Sequence, residues 1–246
     1  MKPRLIARLD LKGPNLIKGI HLEGLRILGD PQDFAQQYYK DGIEELIFID
    51  LVASLYGRNK LVDIIKRTIK DIFIPLTAGG GIRSLQDVND LLRAGADKIA
   101  INTAAINNPN LVEEIAKEFG SQCMVLSIEA KQIGLNKWTP LTETGRETTG
   151  LDVCEWSKRA ENLGAGEILL TSIDKEGTSD GFDINLIESV ANSVNIPIIS
   201  SGGFGSVSDY DAAISSGASA IAVADALHYK KITVQDLIMH RSSTKI

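Results

Sequence analysis

The chain is poor in the residues that build metal centres and disulfide frameworks. Its 246 residues include 2 cysteines, Cys123 and Cys154, and 3 histidines, His21, His228 and His240. Neither set has ligand spacing, so no metal and no cofactor is expected, and the cysteines read as reduced thiols. Also missing is any apolar run near the roughly 20 residues that cross a bilayer, which argues against a membrane partner. The opening MKPRLIARLD meets charge too early for a secretory segment, so a cytoplasmic protein is expected. No block of Lys and Arg occurs and net charge is −6, which argues against a nucleic-acid partner. With no linker or low-complexity stretch, residues 1–246 are expected to form one domain.

What the chain does have is regular alternation. Apolar runs of strand length lie near 5–11, 45–51, 74–80, 98–102, 124–130, 167–173, 196–202 and 220–225. Amphipathic stretches separate them, among them 31–41, 60–72, 84–94, 110–119 and 151–163. Buried runs alternating with helical periods predict a parallel α/β sheet, and eight such units suit a (βα)8 TIM barrel. The competitor is an open doubly wound sheet. An internal repeat argues against it: ELIFIDLVAS from Glu45 returns as EILLTSIDKE from Glu167, and IPLTAGGGIRS from Ile74 as IPIISSGGFGS from Ile196, each 122 positions later. Two similar halves predict a two-fold barrel of half-barrels. The tail from Met239 is expected to fray.

The strand ends carry the chemistry. Asp10 closes the first strand and Glu129 the fifth, 119 positions apart. A carboxylate at the tip of an apolar strand is costly unless the strand opens into a polar site. The repeat places these two on opposite walls of one mouth, suited to giving and taking a proton. Two glycine clusters, Gly79 to Gly81 and Gly202 to Gly205, follow the third and seventh strands. Their backbone N–H groups can turn toward an anion, and a following helix start adds its dipole. Asn102 and Thr103 close the strand beside the first cluster, Ala224 and Asp225 the strand beside the second. Two phosphate sites on opposite rims are expected, holding a phosphorylated small molecule over Asp10 and Glu129. Gly80, Gly81, Gly202 and Gly203 would form the cradles. Lys18, Asp50, Asp174 and Thr178 would face the same rim. Tight turns are the plain alternative for the glycines, and solvated loop positions for Lys18 and Thr178.

The motifs LIKG (Leu16 to Gly19), EELIFID (Glu44 to Asp50), GGGIRS (Gly79 to Ser84), RAGADKIAINTAA (Arg93 to Ala105), FGSQC (Phe119 to Cys123) and GAGEILLTSID (Gly164 to Asp174) resemble the cyclase subunit of imidazole glycerol phosphate synthase, the HisF family. The likeness runs from Arg4 to about Leu237. It implies an enzyme that uses ammonia from a HisH-type glutaminase docked beneath the barrel. The ammonia splits a doubly phosphorylated ribulosyl compound into imidazole glycerol phosphate and an aminoimidazole ribotide. It implies Asp10 and Glu129 as the acid/base pair, Thr171 and Gly177 at the substrate, and Arg4, Glu45, Lys98 and Glu167 as a charged ammonia gate. Asp97 and Gln122 would face the glutaminase. The chain shows no nucleophile-elbow cysteine, so the ammonia must come from a partner. As an isolated motif, the four gate charges would also read as an ion-pair plug.

The top of the barrel departs from that pattern. Glu129 stands where the family has aspartate, Glu176 likewise, Asp225 where it has serine, and Phe204 and Arg8 where it has small residues. An acid at position 225 would repel a phosphate dianion. Strand alternation turns Arg8 inward with Asp10, so it needs an anion, and Asp225, Glu129 or a ligand are the expected partners. Two readings stay open besides a related sugar-phosphate isomerase. One is the histidine-pathway cyclase. The other is a family member that conducts ammonia to a separate sugar amidotransferase.

Overall fold

The first strand, β1 (Arg4–Lys12), is buried along nearly its whole length, and every second residue points into the interior of a closed cylinder. In the computed structural model, which describes residues 2–53 and 61–243, eight parallel strands close on one another. They are β1, β4 (Glu45–Asp50), β5 (Leu76–Gly79), β6 (Lys98–Ile101), β7 (Met124–Gly134), β10 (Glu167–Ser172), β11 (Ile198–Ser201) and β12 (Ala220–Val223). Ile6 pairs with Glu45 on one side and with Ala222 on the other, which seals the ring. The barrel expected from the alternation is therefore present, and the open sheet is excluded.

Two antiparallel hairpins were not anticipated. β2 (Asn15–Ile20) and β3 (Glu23–Gly29) follow β1, while β8 (Lys137–Thr142) and β9 (Glu147–Thr148) follow β7. They occupy corresponding places in the two halves. Several strand ends also differ from expectation. β7 runs on past position 130 to Gly134 because it pairs with β8, and β12 stops at Val223, leaving Asp225 to open a short helix.

The surrounding helices are α1 (Pro31–Lys40), α2 (Leu61–Thr68), α3 (Leu85–Ala94), α4 (Thr103–Asn107), α5 (Asn110–Phe119), α6 (Val153–Asn162), α7 (Ile184–Ala191), α8 (Val207–Ser215), α9 (Asp225–His228) and α10 (Val234–Ser243). Lys60 and Ser54, which the sequence assigned to a helix and a repeat, lie outside the described residues. Caps fix several starts: Asp30 accepts from Gln32 N ahead of Pro31, and Asp152 accepts from Cys154 and Glu155 N. The repeat extends to backbone detail. Ser84 and Ser206 have matching extended conformations and both form capping boxes, with Asp87 and Asp209 respectively. The C-terminal segment does not fray at Met239. α10 continues to Ser243, and Arg241 grips both carboxylate oxygens of Glu44 at 2.6 and 2.7 Å.

Two apolar layers result. The larger lies between strands and helices, with Leu5, Leu9, Phe48 and Leu126 among its members. The smaller fills the barrel, with Ile6, Ile47, Ala100, Val125, Leu169, Ile199, Ala220 and Ala222. It separates a charged floor from a polar mouth. Among the described residues no helix is long and apolar enough to cross a membrane.

Candidate active site

At the amino ends of the strands four charges form a closed ring of alternating sign. Arg4 Nη1 lies 2.8 Å from Glu45 Oε1, and its other terminal nitrogen pairs with Glu167. Lys98 Nζ reaches Glu167 Oε2 at 2.9 Å and Glu45 Oε2 at 3.5 Å. The two carboxylates are nearly enclosed, which only full pairing permits. Burial alone would lower the Arg4 pKa, but Glu167 and Glu45 outweigh it and raise it. Asp97 and Gln122 lie exposed at this end. Asp97 Oδ2 accepts from Leu76 N at 2.8 Å, and Gln122 Nε2 donates to Phe119 O at 3.2 Å.

At the carboxyl ends the two halves have diverged. Beneath the first glycine cluster is a cavity of about 380 Å³. Asp50, Gly80, Gly81, Asn102, Thr103, Ser127 and Glu129 line it, so seven neighbours in space come from four successive barrel strands and the turns at their ends. Gly80 has φ +99°, and a Cβ there would run into the Asp50 carbonyl. Asp50 Oδ1 accepts from the N–H groups of Val52 and Ala53, both at 3.1 Å. Burial nonetheless leaves its pKa raised. Asn102 Nδ2 donates to Leu141 O at 3.0 Å while its Oδ1 is buried with no partner among the described residues. Thr103 Oγ1 accepts from Glu143 N at 3.1 Å.

Glu129 presents a similar orphan. Its Oε2 is buried without a hydrogen-bond partner among the described residues, and burial pushes its pKa up to about 7. Arg8 and the Gly145 N–H pull the value down, whereas Asp10 and Glu143 add to the rise. A carboxyl poised there exchanges protons readily near neutrality.

Asp10 behaves differently. It is 1% exposed and lines neither cavity. Arg8 Nε sits 2.8 Å from Asp10 Oδ1, and Lys18 Nζ lies 3.8 Å from Oδ2. Burial alone would raise the Asp10 pKa, but Arg8 and Lys18 hold it below the usual carboxylate value. The two acids are thus pushed in opposite directions, and Asp10 is engaged by an internal cation rather than open to a ligand. The expected partners of Arg8 need the same correction. Arg8 does point inward, yet it bonds Asp10, Thr171 Oγ1 at 2.8 Å and Ser201 Oγ at 3.1 Å, neither Asp225 nor Glu129. Asp10 lies two residues along the same strand, so its carboxylate and the guanidinium share a face.

Beneath the second glycine cluster the space shrinks to about 10 Å³. Gly177, Gly202, Gly203, Phe204, Glu176, Ala224 and Asp225 surround it. Lys18 is paired with Glu176, and both are 3% exposed. Burial lowers the Lys18 pKa. Asp225 pairs with Lys231, and Ser179 Oγ donates to it at 3.2 Å. Asp174 stands apart from both cavities, tied to Lys131 and to Gln132 N on β7. Thr178 is bound into its own turn through Lys175 O at 2.9 Å.

Several participants escaped the sequence reading. Glu143 and Thr144 reach the large cavity from the turn after β8, a place no motif marked. His228, whose spacing marked no ligand set, lies buried with Nδ1 2.6 Å from the Tyr38 hydroxyl. Burial and Lys18 press its pKa down to about 4. The signal for Ser127 was available, because it is the repeat counterpart of Arg8.

Comparison with known proteins adds the family context. The pattern of the family described as "Histidine biosynthesis protein" matches residues 4–233. A Legionella pneumophila protein named "Imidazole glycerol phosphate synthase subunit HisF" is 59% identical over 208 residues, covering 85% of this chain and 98% of that one. Proteins of the same name from Bifidobacterium adolescentis and Prochlorococcus marinus strain AS9601 are 47% and 48% identical, each over 95% of this chain and 93% of its own length.

Proposed function

The chain belongs to the histidine biosynthesis protein family, and from that premise we propose that it is an imidazole glycerol phosphate synthase subunit of the HisF type. It would take ammonia from a HisH-type glutaminase seated under the barrel. At the top it would turn a doubly phosphorylated ribulosyl aminoimidazole compound into imidazole glycerol phosphate and an aminoimidazole ribotide. The observation that carries this reading is the floor ring of Arg4, Glu45, Lys98 and Glu167. A neutralised ring over an interior of Ile6, Ala100, Ala220 and Ala222 favours passage of uncharged NH3 over ammonium, since the apolar layer offers a cation no ligand. Asp97 and Gln122 would belong to the glutaminase face.

In the large cavity Gly80, Gly81, Asn102 and Thr103 would hold one phosphate by backbone and side-chain donors. Asp50 would orient the sugar. Glu129, close to half protonated at neutral pH, would pass a proton to or from the reacting ring, with Asp10 as the opposing base. Supplying the ribulosyl substrate with an ammonium salt and no glutaminase tests the assignment. Turnover is expected, and Asp10→Asn is expected to lower it by about 100-fold or more. An unchanged rate in that variant would remove Asp10 from the chemistry.

One set of contacts favours a second acceptor for the ammonia. Asp10 is bound by Arg8, and the second rim is occupied by Asp225, Phe204 and the Lys18–Glu176 pair. In this reading the barrel delivers ammonia to a separate amidotransferase acting on a sugar. It predicts stimulation of a glutaminase without turnover of the ribulosyl substrate. A cytoplasmic setting fits both.

A further inference from the structure

The two halves of the barrel serve as each other's reference, and they differ where ligands would sit. Position by position, Gly80, Gly81, Asn102, Thr103 and Ser127 at the first rim correspond to Gly202, Gly203, Ala224, Asp225 and Arg8 at the second, each rim taking its last member from the other half. The backbone is kept. Asn102 and Ala224 both have φ −124°, with ψ −84° and −79°. The glycines of both pairs have positive φ. The contents are not. Where Ser127 leaves the first rim open, Arg8 spans the second and reaches Thr171 and Ser201. Where Thr103 offers a hydroxyl, Asp225 offers a carboxylate already held by Lys231 and Ser179. Phe204, where the first half has Ile82, borders the small space and packs against Phe182, ring centroids 5.9 Å apart. One cradle is about 380 Å³ and the other about 10 Å³.

We propose that Asp225 is a built-in anion occupying the second rim, so that this chain holds a phosphorylated ligand through one phosphate only, at the first rim. Asp225 is then a specificity-determining residue, with Lys231 as its neutralising clamp and Arg8 as the filler beneath. A second phosphate gains little there, because three cations at this rim are spent on protein carboxylates, Arg8 on Asp10, Lys18 on Glu176 and Lys231 on Asp225, while Lys175 beside Gly203 turns its Nζ to the Asp180 carbonyl at 3.5 Å. The ligand class that fits is a phosphomonoester whose uncharged end lies toward Glu129. This deepens the second reading above and rests on it.

The test compares ribose 5-phosphate with ribulose 1,5-bisphosphate by calorimetry on the full chain. The two should bind within about threefold of each other, since a phosphate without hydrogen bonds to charged donors adds little affinity. In Asp225→Thr, which installs the residue of the first half and frees Lys231, the bisphosphate-to-monophosphate affinity ratio should rise about tenfold or more. A wild-type preference of that size for the bisphosphate, or binding of neither probe, overturns the proposal. So does an unchanged ratio in a variant whose melting curve shows it folded. The wild-type comparison decides the matter if the variant does not fold. Stimulation of a glutaminase is read separately. A chain that stimulates it yet prefers the bisphosphate overturns this inference alone, and one that fails to stimulate overturns the ammonia reading instead.

Discussion

Arg8 and Asp10 form a salt bridge of 2.8 Å between two side chains on one strand, both nearly excluded from water. Such a pair gains little net stability by existing, yet removing one member leaves a buried charge uncompensated. Arg8→Met and Asp10→Asn should each cost about 3–5 kcal/mol in urea unfolding, while the double variant should cost clearly less than their sum. Additive losses would mean that the two groups do not depend on each other.

The floor ring makes a separable prediction. Lys98→Ala leaves Glu45 and Glu167 sharing Arg4, so both carboxylates become less well neutralised at the entrance. If the ring controls passage from the partner, glutamine-driven transfer falls several-fold while transfer from added ammonium, which reaches the top directly, stays near wild type. Steady-state assays with the two nitrogen sources distinguish this from a plug that only stabilises the barrel, for which both rates would move together.

How much of this was legible beforehand follows from where the signals lie. The strands were readable because a barrel strand is buried on both faces and shows as a continuous apolar run, as ELIFID does. The glycine clusters were readable because the repeat printed them twice. The hairpins were not, since β3 (Glu23–Gly29) is mostly exposed and carries no run or clean alternation. Alternation also fixed Arg8 as inward-facing, but not its partner. That choice depended on Thr171 and Ser201, which are far away in sequence and adjacent only once the barrel closes. The collapse of the second cavity was hidden for the same reason. Asp225 could be seen as an acid in an unusual place, but Ser179 lies 46 positions away, and no motif joined Lys231, six residues on, to it.

Gly80 supplies a prediction about backbone. At φ +99° a side chain is strained, and a Cβ would collide with the Asp50 carbonyl, which cannot swing away as a flexible side chain would. Gly80→Ala should destabilise the fold by about 2–4 kcal/mol, lowering the melting temperature by several degrees. It should also reshape the large cavity, so phosphate-ester binding should weaken more than in Gly150→Ala. Position 150 shares the positive φ but has open space around it and lies outside that cavity.

Glu129 and His228 titrate in overlapping windows with opposite effects on stability. Glu129 has a folded pKa of about 7 against an ordinary value of 4.5, so between these the folded chain holds more protons and stability falls as pH rises. His228 has a folded pKa of about 4 against 6.5, so there the unfolded chain holds more protons and stability rises with pH. From pH 5 to 7 each group is worth about 2 kcal/mol, in opposite directions, and the two nearly cancel. Wild-type stability should therefore be almost flat across that range. Glu129→Gln removes one side of the balance, and its unfolding free energy should climb by about 2 kcal/mol from pH 5 to 7 as the buried imidazole alone sets the slope. Urea titrations at three or four pH values measure both slopes. A steep wild-type profile, or a flat one in the variant, would place the proton on Glu129 or His228 differently from the burial each shows.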